Sequence, residues 1–295
     1  MQHSYADING IRMHYVTHGA GEPILFLHGA PEYWGVWKPL MKEFSKDHQV
    51  IAPDMRGYNL TSQPKDFEQY SIHHLVGDIR GLADHLGLRK LTLVGHDWGA
   101  LVAWAFSLYH PEYVRRLVSI SMTHPALFDR ELRENPQQQQ ISQYMLLFQA
   151  PDAGTTLTGD DFAFQRQNVF VEAGRPGSAL TEEDVAEWFQ SWKTGGLTGS
   201  FNYYRAMKLG PPNGQFPGGS TILEGLPPEK WKVSFPVLVV RGDGDYYVVR
   251  SGLDGLEKLA PDLTVQEIPD ATHWVIMQKP DAVGLRIREF MSTHG

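Results

Sequence analysis

Leu91-Thr92-Leu93-Val94-Gly95-His96-Asp97-Trp98-Gly99-Ala100 is an apolar run that ends in an aspartate flanked by glycines. A small-x-acid-x-small pentapeptide after a strand-like run marks a sharp strand-to-helix turn. The outer glycines let strand and helix approach closely, and the turn holds the central side chain out over the sheet. A serine there would attack a carbonyl carbon. A carboxylate suits a different task, displacing a leaving group from saturated carbon to form an ester with the substrate. Asp97 therefore points to carbon–oxygen or carbon–halogen cleavage through a covalent alkyl-enzyme. Gly and Asp are also ordinary turn residues, so the rest of the chain has to decide.

Short apolar runs at 23–27, 49–52, 91–94, 117–120, 236–240 and 264–268 alternate with helical stretches, and most end in polar turns. Near-continuous apolar strands are buried on both faces, the mark of a parallel sheet covered by helices. The expected architecture is an α/β-hydrolase fold, with a mostly parallel sheet flanked by helices and the site at the carboxyl ends of the strands. Between about His124 and Ser234 the alternation breaks. Residues 1–125 and 234–295 are read as two parts of one core, and 126–233 as an inserted helical cap.

Within that cap, Ile141, Tyr144, Met145 and Phe148 share one helical face. Thr181 reads as an N-cap with an acidic first turn before Val185, Trp188, Phe189 and Trp192. A third helix is expected over 200–208, and the Pro- and Gly-rich stretch 210–228 returns to the core. Gln137 to Gln140 read as an exposed helix entry.

At 295 residues the length suits one core plus an inserted subdomain, and 42% hydrophobic with 20% charged residues is ordinary for a globular protein. A net charge of -8 argues against a nucleic-acid surface. There is no cysteine, which excludes disulfides and thiol catalysis. Without an apolar leader or membrane-length run, a cytoplasmic protein with no membrane association is expected, as a monomer or homodimer.

An ester on Asp97 has to be hydrolysed, which needs a base for water. Of 13 histidines, His273 is the best placed, in a loop after the last strand-like run and before a C-terminal helix. Asp245, just past the run 236–240, is the chosen acid to orient it, with Asp243 a near rival. The order nucleophile, acid, histidine is that of the α/β-hydrolase arrangement. His28-Gly29-Ala30-Pro31 supplies the other requirement. His28 and the backbone N–H groups of Ala30 and Trp98 are placed at a substrate and oxyanion pocket. Other histidines have plainer readings: His96 points into the sheet, and His73 and His74 lie on a helix surface.

With His28-Gly29-Ala30-Pro31-Glu32, Asp54-Met55-Arg56-Gly57-Tyr58, Gly95 to Ala100, Gly242 to Asp245 and Thr272-His273-Trp274, the chain resembles the soluble epoxide hydrolases of the α/β-hydrolase superfamily. The resemblance covers essentially the whole chain and implies a small apolar epoxide as substrate, opened to a vicinal diol without metal or organic cofactor. It also implies two cap tyrosines that protonate the epoxide oxygen; Tyr144 matches the first and Tyr204 the second. Periodicity does not separate Tyr203 from Tyr204. Phenol donors suit the chemistry, because the leaving group is a tethered alkoxide, although buried tyrosines often serve packing alone.

Three positions depart from the family pattern. Ala30 stands where a bulky aromatic is usual, leaving extra room; Asn59 and Thr272 each replace a common glycine. Two other readings were weighed. A dehalogenase shares the Asp nucleophile, but Ala30 cannot donate to a halide as the usual asparagine does. Nor can the neutral Trp98 clamp a carboxylate as an arginine would. A ligand sensor that no longer turns over would show a degraded triad, and none is visible.

Overall fold

The computed structural model describes residues 1–214 and 216–294. The chain starts with a hairpin that the apolar runs do not announce. β1 (Gln2–Ile8) and β2 (Ile11–His18) pair antiparallel across Asn9-Gly10. Both turn residues have positive φ, 45° and 77°, as a two-residue hairpin turn requires. β3 (Glu22–Leu27), β4 (His48–Pro53), β5 (Leu91–His96), β6 (Val114–Ile120), β7 (Val237–Gly242) and β8 (Leu263–Ile268) complete an eight-stranded sheet. Its order is β1-β2-β4-β3-β5-β6-β7-β8, parallel from β4 to β8. The expected α/β-hydrolase architecture is the one observed.

Each central strand feeds two cores. Leu25, Leu27, Leu91 and Leu93 pack with α2 (Ile72–His85) and α3 (Trp98–Tyr109). Ile24, Phe26, Val94 and Val118 pack instead with α1 (Lys38–Phe44) and the C-terminal helix Pro280–Thr293. Alternate residues leave opposite faces of a strand, and both faces are covered, so β5 has no exposed position. That explains the unbroken apolar runs.

Between β6 and β7 the described residues are helical or irregular, apart from a single bridge between Gly210 and Gly219. Thr181 caps the helix Glu182–Gly195 with a reciprocal Thr181–Asp184 capping box, and the expected third helix runs Thr198–Met207. Two expectations need correction. The face over 141–148 belongs to two short helices, Pro136–Ile141 and Tyr144–Phe148, with a turn at Ser142 and Gln143. Gln138 is fully buried rather than exposed. Its amide donates to the Ser142 hydroxyl at 2.9 Å and to the Tyr247 carbonyl at 2.8 Å, and accepts from the Val249 N–H at 3.0 Å. These bonds end the first helix and tie it to the loop after β7. Among the described residues no helix is long and apolar enough to cross a membrane.

The loop after β4 is held by a buried ion pair. Arg56 Nε and Nη2 donate to the two oxygens of Asp78 on α2 at 2.7 and 2.6 Å. Asn9, in the first hairpin turn, donates to Asp78 Oδ1 at 2.7 Å and accepts from Arg56 Nη2 at 3.1 Å through its carbonyl. Burial pushes the Asp78 carboxyl up, and the guanidinium opposes that. Removing one partner leaves the other charge buried alone, which costs about 3–5 kcal/mol. Asp78→Ala is therefore expected to lose about that much in urea unfolding, while Arg56→Met combined with Asp78→Leu recovers most of it. A single-variant loss below about 1 kcal/mol would show the pair to be dispensable.

Candidate active site

β5 delivers Asp97 directly into α3. Asp97 sits at φ 50°, ψ -120°, in the left-handed half of backbone space, where a non-glycine residue is strained by about 1–3 kcal/mol. The flanking glycines are required by contact. A Cβ on Gly99 would lie 2.1 Å from the Leu27 carbonyl oxygen, and one on Gly95 would lie 2.4 Å from that of Gly99. Gly29 is equally constrained, since a Cβ there would meet the Asp97 Cβ at 2.5 Å.

Asp97, His273 and Asp245 meet above the strand ends. Asp97 Oδ1 accepts the Ala30 N–H at 2.7 Å, and Asp97 Oδ2 lies 3.4 Å from His273 Nε2. His273 Nδ1 lies 3.3 Å from Asp245 Oδ2. Asp245 Oδ1 accepts the N–H groups of Tyr247 and Val248, at 3.0 and 3.3 Å. Asp243, the rival acid, is exposed and has no contact with the ring. Trp98 opens α3, so its N–H has no acceptor within the helix.

Burial pushes the Asp97 carboxyl up, but His273, then His96 and the Ala30 N–H, outweigh it and hold the group below the usual carboxylate range. For His273, burial disfavours the cation, yet Asp245 and then Asp97 raise it to about 10. Both aspartates thus favour the imidazolium form of His273.

A cavity of about 240 Å³ opens onto Asp97 and His273. Tyr144 and Tyr204 line it from the helices between β6 and β7, their rings 6.3 Å apart, with Tyr204 edge-on to Trp98 at 5.0 Å. Burial first, then the Asp97 charge for Tyr144 and the Tyr144 phenol for Tyr204, push both phenols far up, so they are donors at any ordinary pH. Tyr203 turns away from the cavity, its hydroxyl donating to the Arg56 carbonyl at 3.0 Å. Among the described residues no cluster of three or more His, Cys, Asp or Glu side chains is placed to hold a metal ion.

His28 departs from expectation. Its Nδ1 donates to the Gly29 carbonyl at 2.8 Å and its Nε2 accepts the Met55 N–H at 3.0 Å, so the ring braces the loop and does not line the cavity. Trp188 and Trp192 do not line the cavity either. Both indole N–H groups donate to the Pro31 carbonyl, at 2.8 and 2.6 Å, anchoring their helix beside Ala30. Asn59 adopts φ 43°, the conformation for which glycine is common, and its amide donates to Asp54 Oδ2 at 2.9 Å. Thr272 has no such φ, and its N–H donates to Gln278 Oε1 at 2.8 Å.

Sequence reasoning missed one buried chain altogether. Glu32 Oε2 accepts the Gly29 N–H at 2.7 Å, and Glu32 Oε1 lies 2.7 Å from His96 Nδ1. His96 Nε2 in turn donates to the His273 carbonyl at 2.8 Å, and the Ser121 hydroxyl donates to the same oxygen at 2.9 Å. The backbone of the candidate base is thus pinned to the loop carrying Ala30. The only sequence signal was a histidine and a glutamate inside the two glycine motifs.

The model of the family described as the alpha/beta hydrolase fold matches residues 22–280. Epoxide hydrolase 2 of Caenorhabditis elegans is 33% identical over 297 residues, covering 98% of this chain and 80% of that protein. Epoxide hydrolase 4 of Homo sapiens is 31% identical, covering 98% of this chain and 78% of its own. The crystal structure of a Bacillus megaterium epoxide hydrolase in complex with an inhibitor superposes with a TM-score of 0.90 at 35% identity, covering 98% of this chain and 100% of that one.

A histidine such as His273, whose folded pKa is raised, adds stability that is full below its unfolded value near 6.5 and is lost as pH rises through about 10. Nitrogen-15 NMR of the imidazole is expected to show a doubly protonated ring at pH 8, and Asp97→Asn to lower its titration midpoint. A ring already neutral at pH 7 in the parent protein would contradict this electrostatic picture.

Proposed function

The chain belongs to the α/β hydrolase fold family and is a hydrolase related to the epoxide hydrolases, and from that premise we propose that it opens small apolar epoxides to vicinal diols. One observation carries the reading: the buried Asp97 carboxylate, the buried phenol of Tyr204 and the half-buried Tyr144 line the same cavity, with an imidazole against the carboxylate. Residues 126–233 act as the cap that supplies the phenols, and the remainder is the core.

In this scheme Asp97 attacks one ring carbon while the carbon–oxygen bond breaks. The departing oxygen takes a proton from the Tyr144 and Tyr204 pair, so no free alkoxide develops. Asp97 Oδ1, already held by the Ala30 N–H, becomes the carbonyl oxygen of the ester. Water then adds at that carbonyl carbon, and the N–H groups of Ala30 and Trp98 stabilise the oxyanion. His273, oriented by Asp245, takes the proton from water. The tetrahedral intermediate then collapses with cleavage of the ester bond to the alkyl oxygen, which takes that proton from the ring. The diol leaves as the new carboxyl of Asp97 gives its own proton to the imidazole.

The electrostatics support the order of events. A resting imidazolium is a poor base but a good partner for an ionised nucleophile. Esterification removes the Asp97 charge, one of the two influences that raise His273. The ring can then return its proton to the tyrosinate left by ring opening, which restores the phenol pair and leaves a neutral imidazole when a base is first needed.

Diol formation from styrene oxide tests the reaction class. His273→Gln is expected to stop turnover but leave the first step. Mass spectrometry should then find the substrate mass added to a peptide containing Asp97; an active wild type whose variant shows no adduct would count against the covalent route. For the acid, Asp245→Asn should lower kcat by about 10³-fold or more through loss of the ring's orientation and tautomer, with Asp243→Asn close to wild type. The reverse pattern would move the role to Asp243.

A further inference from the structure

The cavity has a second polar feature, away from the catalytic groups in the chain and unused by the mechanism. Gln165 ends the short helical stretch Gly159–Gln165, where the chain widens into the π-helical turn Arg166–Phe170. π-helical turns are frequent at functional sites. Its side chain is buried, 3% exposed, and lines the same cavity as Asp97. Neither its amide nitrogen nor its amide oxygen has a hydrogen-bond partner among the described residues. Phe164 beside it packs against Phe148 at 6.3 Å, and Phe148 against Tyr204 at 5.1 Å, so aromatic surface separates the amide from the phenols.

Buried polar groups are almost always paired, and leaving one unpaired is destabilising. Both amide atoms lie just under the cavity wall, so the side chain meets water or a ligand there by turning about its own bonds. A ligand that displaces that water has to replace its bonds or lose affinity. We infer that Gln165 forms a distal subsite that selects epoxides whose tail carries a neutral group able both to donate and to accept, such as a carboxamide or hydroxyl. Both amide functions are free, so an ether or ketone satisfies the donor alone and a hydrocarbon satisfies neither.

The charge of that group follows from the rest of the lining. No Lys or Arg faces the cavity among the described residues. An anionic tail would be buried without a partner beside a site that already holds a carboxylate, a costly arrangement. The substrate class is therefore an epoxide, an apolar or aromatic middle, and a neutral hydrogen-bonding end.

This inference rests on the epoxide reading, and its test separates the two. Glycidyl ethers of 4-hydroxyphenylacetamide and 4-hydroxyphenylacetone are nearly isosteric and differ in the terminal NH₂ against CH₃. The amide is expected to be preferred about tenfold or more in kcat/KM, chiefly through KM, and Gln165→Met to bring the ratio near one. A ratio that Gln165→Met does not change overturns the subsite. The variant should also melt at or above the wild-type temperature, because it removes an unpaired buried amide; a clear drop would mean the protein itself satisfies the amide, which overturns the inference too. If neither epoxide is turned over, the reaction reading fails and binding decides the subsite. Heat-shift titration with 3-phenylpropanamide and benzylacetone should then show an amide preference in wild type that Gln165→Met abolishes, and equal shifts in both proteins reject it.

Discussion

A carboxylate forced into left-handed backbone at the end of the central strand is the constraint on which the rest of this structure depends. The φ of 50° at Asp97 is tolerable because β5 is buried between two parallel neighbours and α3 begins at the next residue. Gly95 and Gly99 remove every Cβ that would keep strand, helix and the β3 loop apart. The same close approach brings the Ala30 N–H onto Asp97 Oδ1. Backbone strain, glycine placement and the hydrogen bond to the carboxylate are thus one arrangement, and none of the three would persist without the others.

The second organising feature is that one imidazole serves two carboxylates. His273 is gripped by its own carbonyl, which takes bonds from His96 and Ser121, so the ring is registered to the same strand ends as the nucleophile. Asp245 is registered separately, through the backbone of its own loop at Tyr247 and Val248. In the proposed cycle Asp245 keeps a constant influence on the ring, while that of Asp97 disappears on esterification. The basicity of the ring then follows the state of the nucleophile without any movement of the chain.

The parallel core was legible because burial on both faces writes itself as continuous apolar runs, and those at 23–27 and 91–94 lie inside β3 and β5. The N-terminal hairpin was not, since β1 lies at the sheet edge and has one buried residue; its signal was the dipeptide Asn9-Gly10. That Asp97 and His273 would meet at the strand ends was legible because turn geometry and chain order restrict both to few positions. His28 could not be assigned correctly from its motif, because whether a ring faces a cavity or braces a loop depends on Met55, which is distant in sequence. Trp188 and Trp192 show the same limit. Helical spacing gave the face they share but not the single carbonyl, Pro31, to which both donate. Gln138 and Gln165 were invisible, because burial of a polar residue has no periodic signature.

The helices between β6 and β7 are held in two different ways, and the difference bears on what can vary. Trp188 and Trp192 fasten one helix by hydrogen bonds to the loop that carries Ala30, and Gln138 fastens another to the loop that carries Asp245. Such bonds are directional, so they fix distance and angle relative to the loops that carry Ala30 and Asp245. The stretch around Gln165 is secured by aromatic packing instead, with Phe170 flat against Trp192 at 4.7 Å and Phe162 near the same indole at 5.9 Å. Apolar packing is non-directional and tolerates changes that conserve volume. The distal wall of the cavity can therefore change its chemistry by substitution while the bonds to Pro31 and Tyr247 stay in place. In the proposed reading, reaction and selectivity are carried by separately anchored parts of one helical segment.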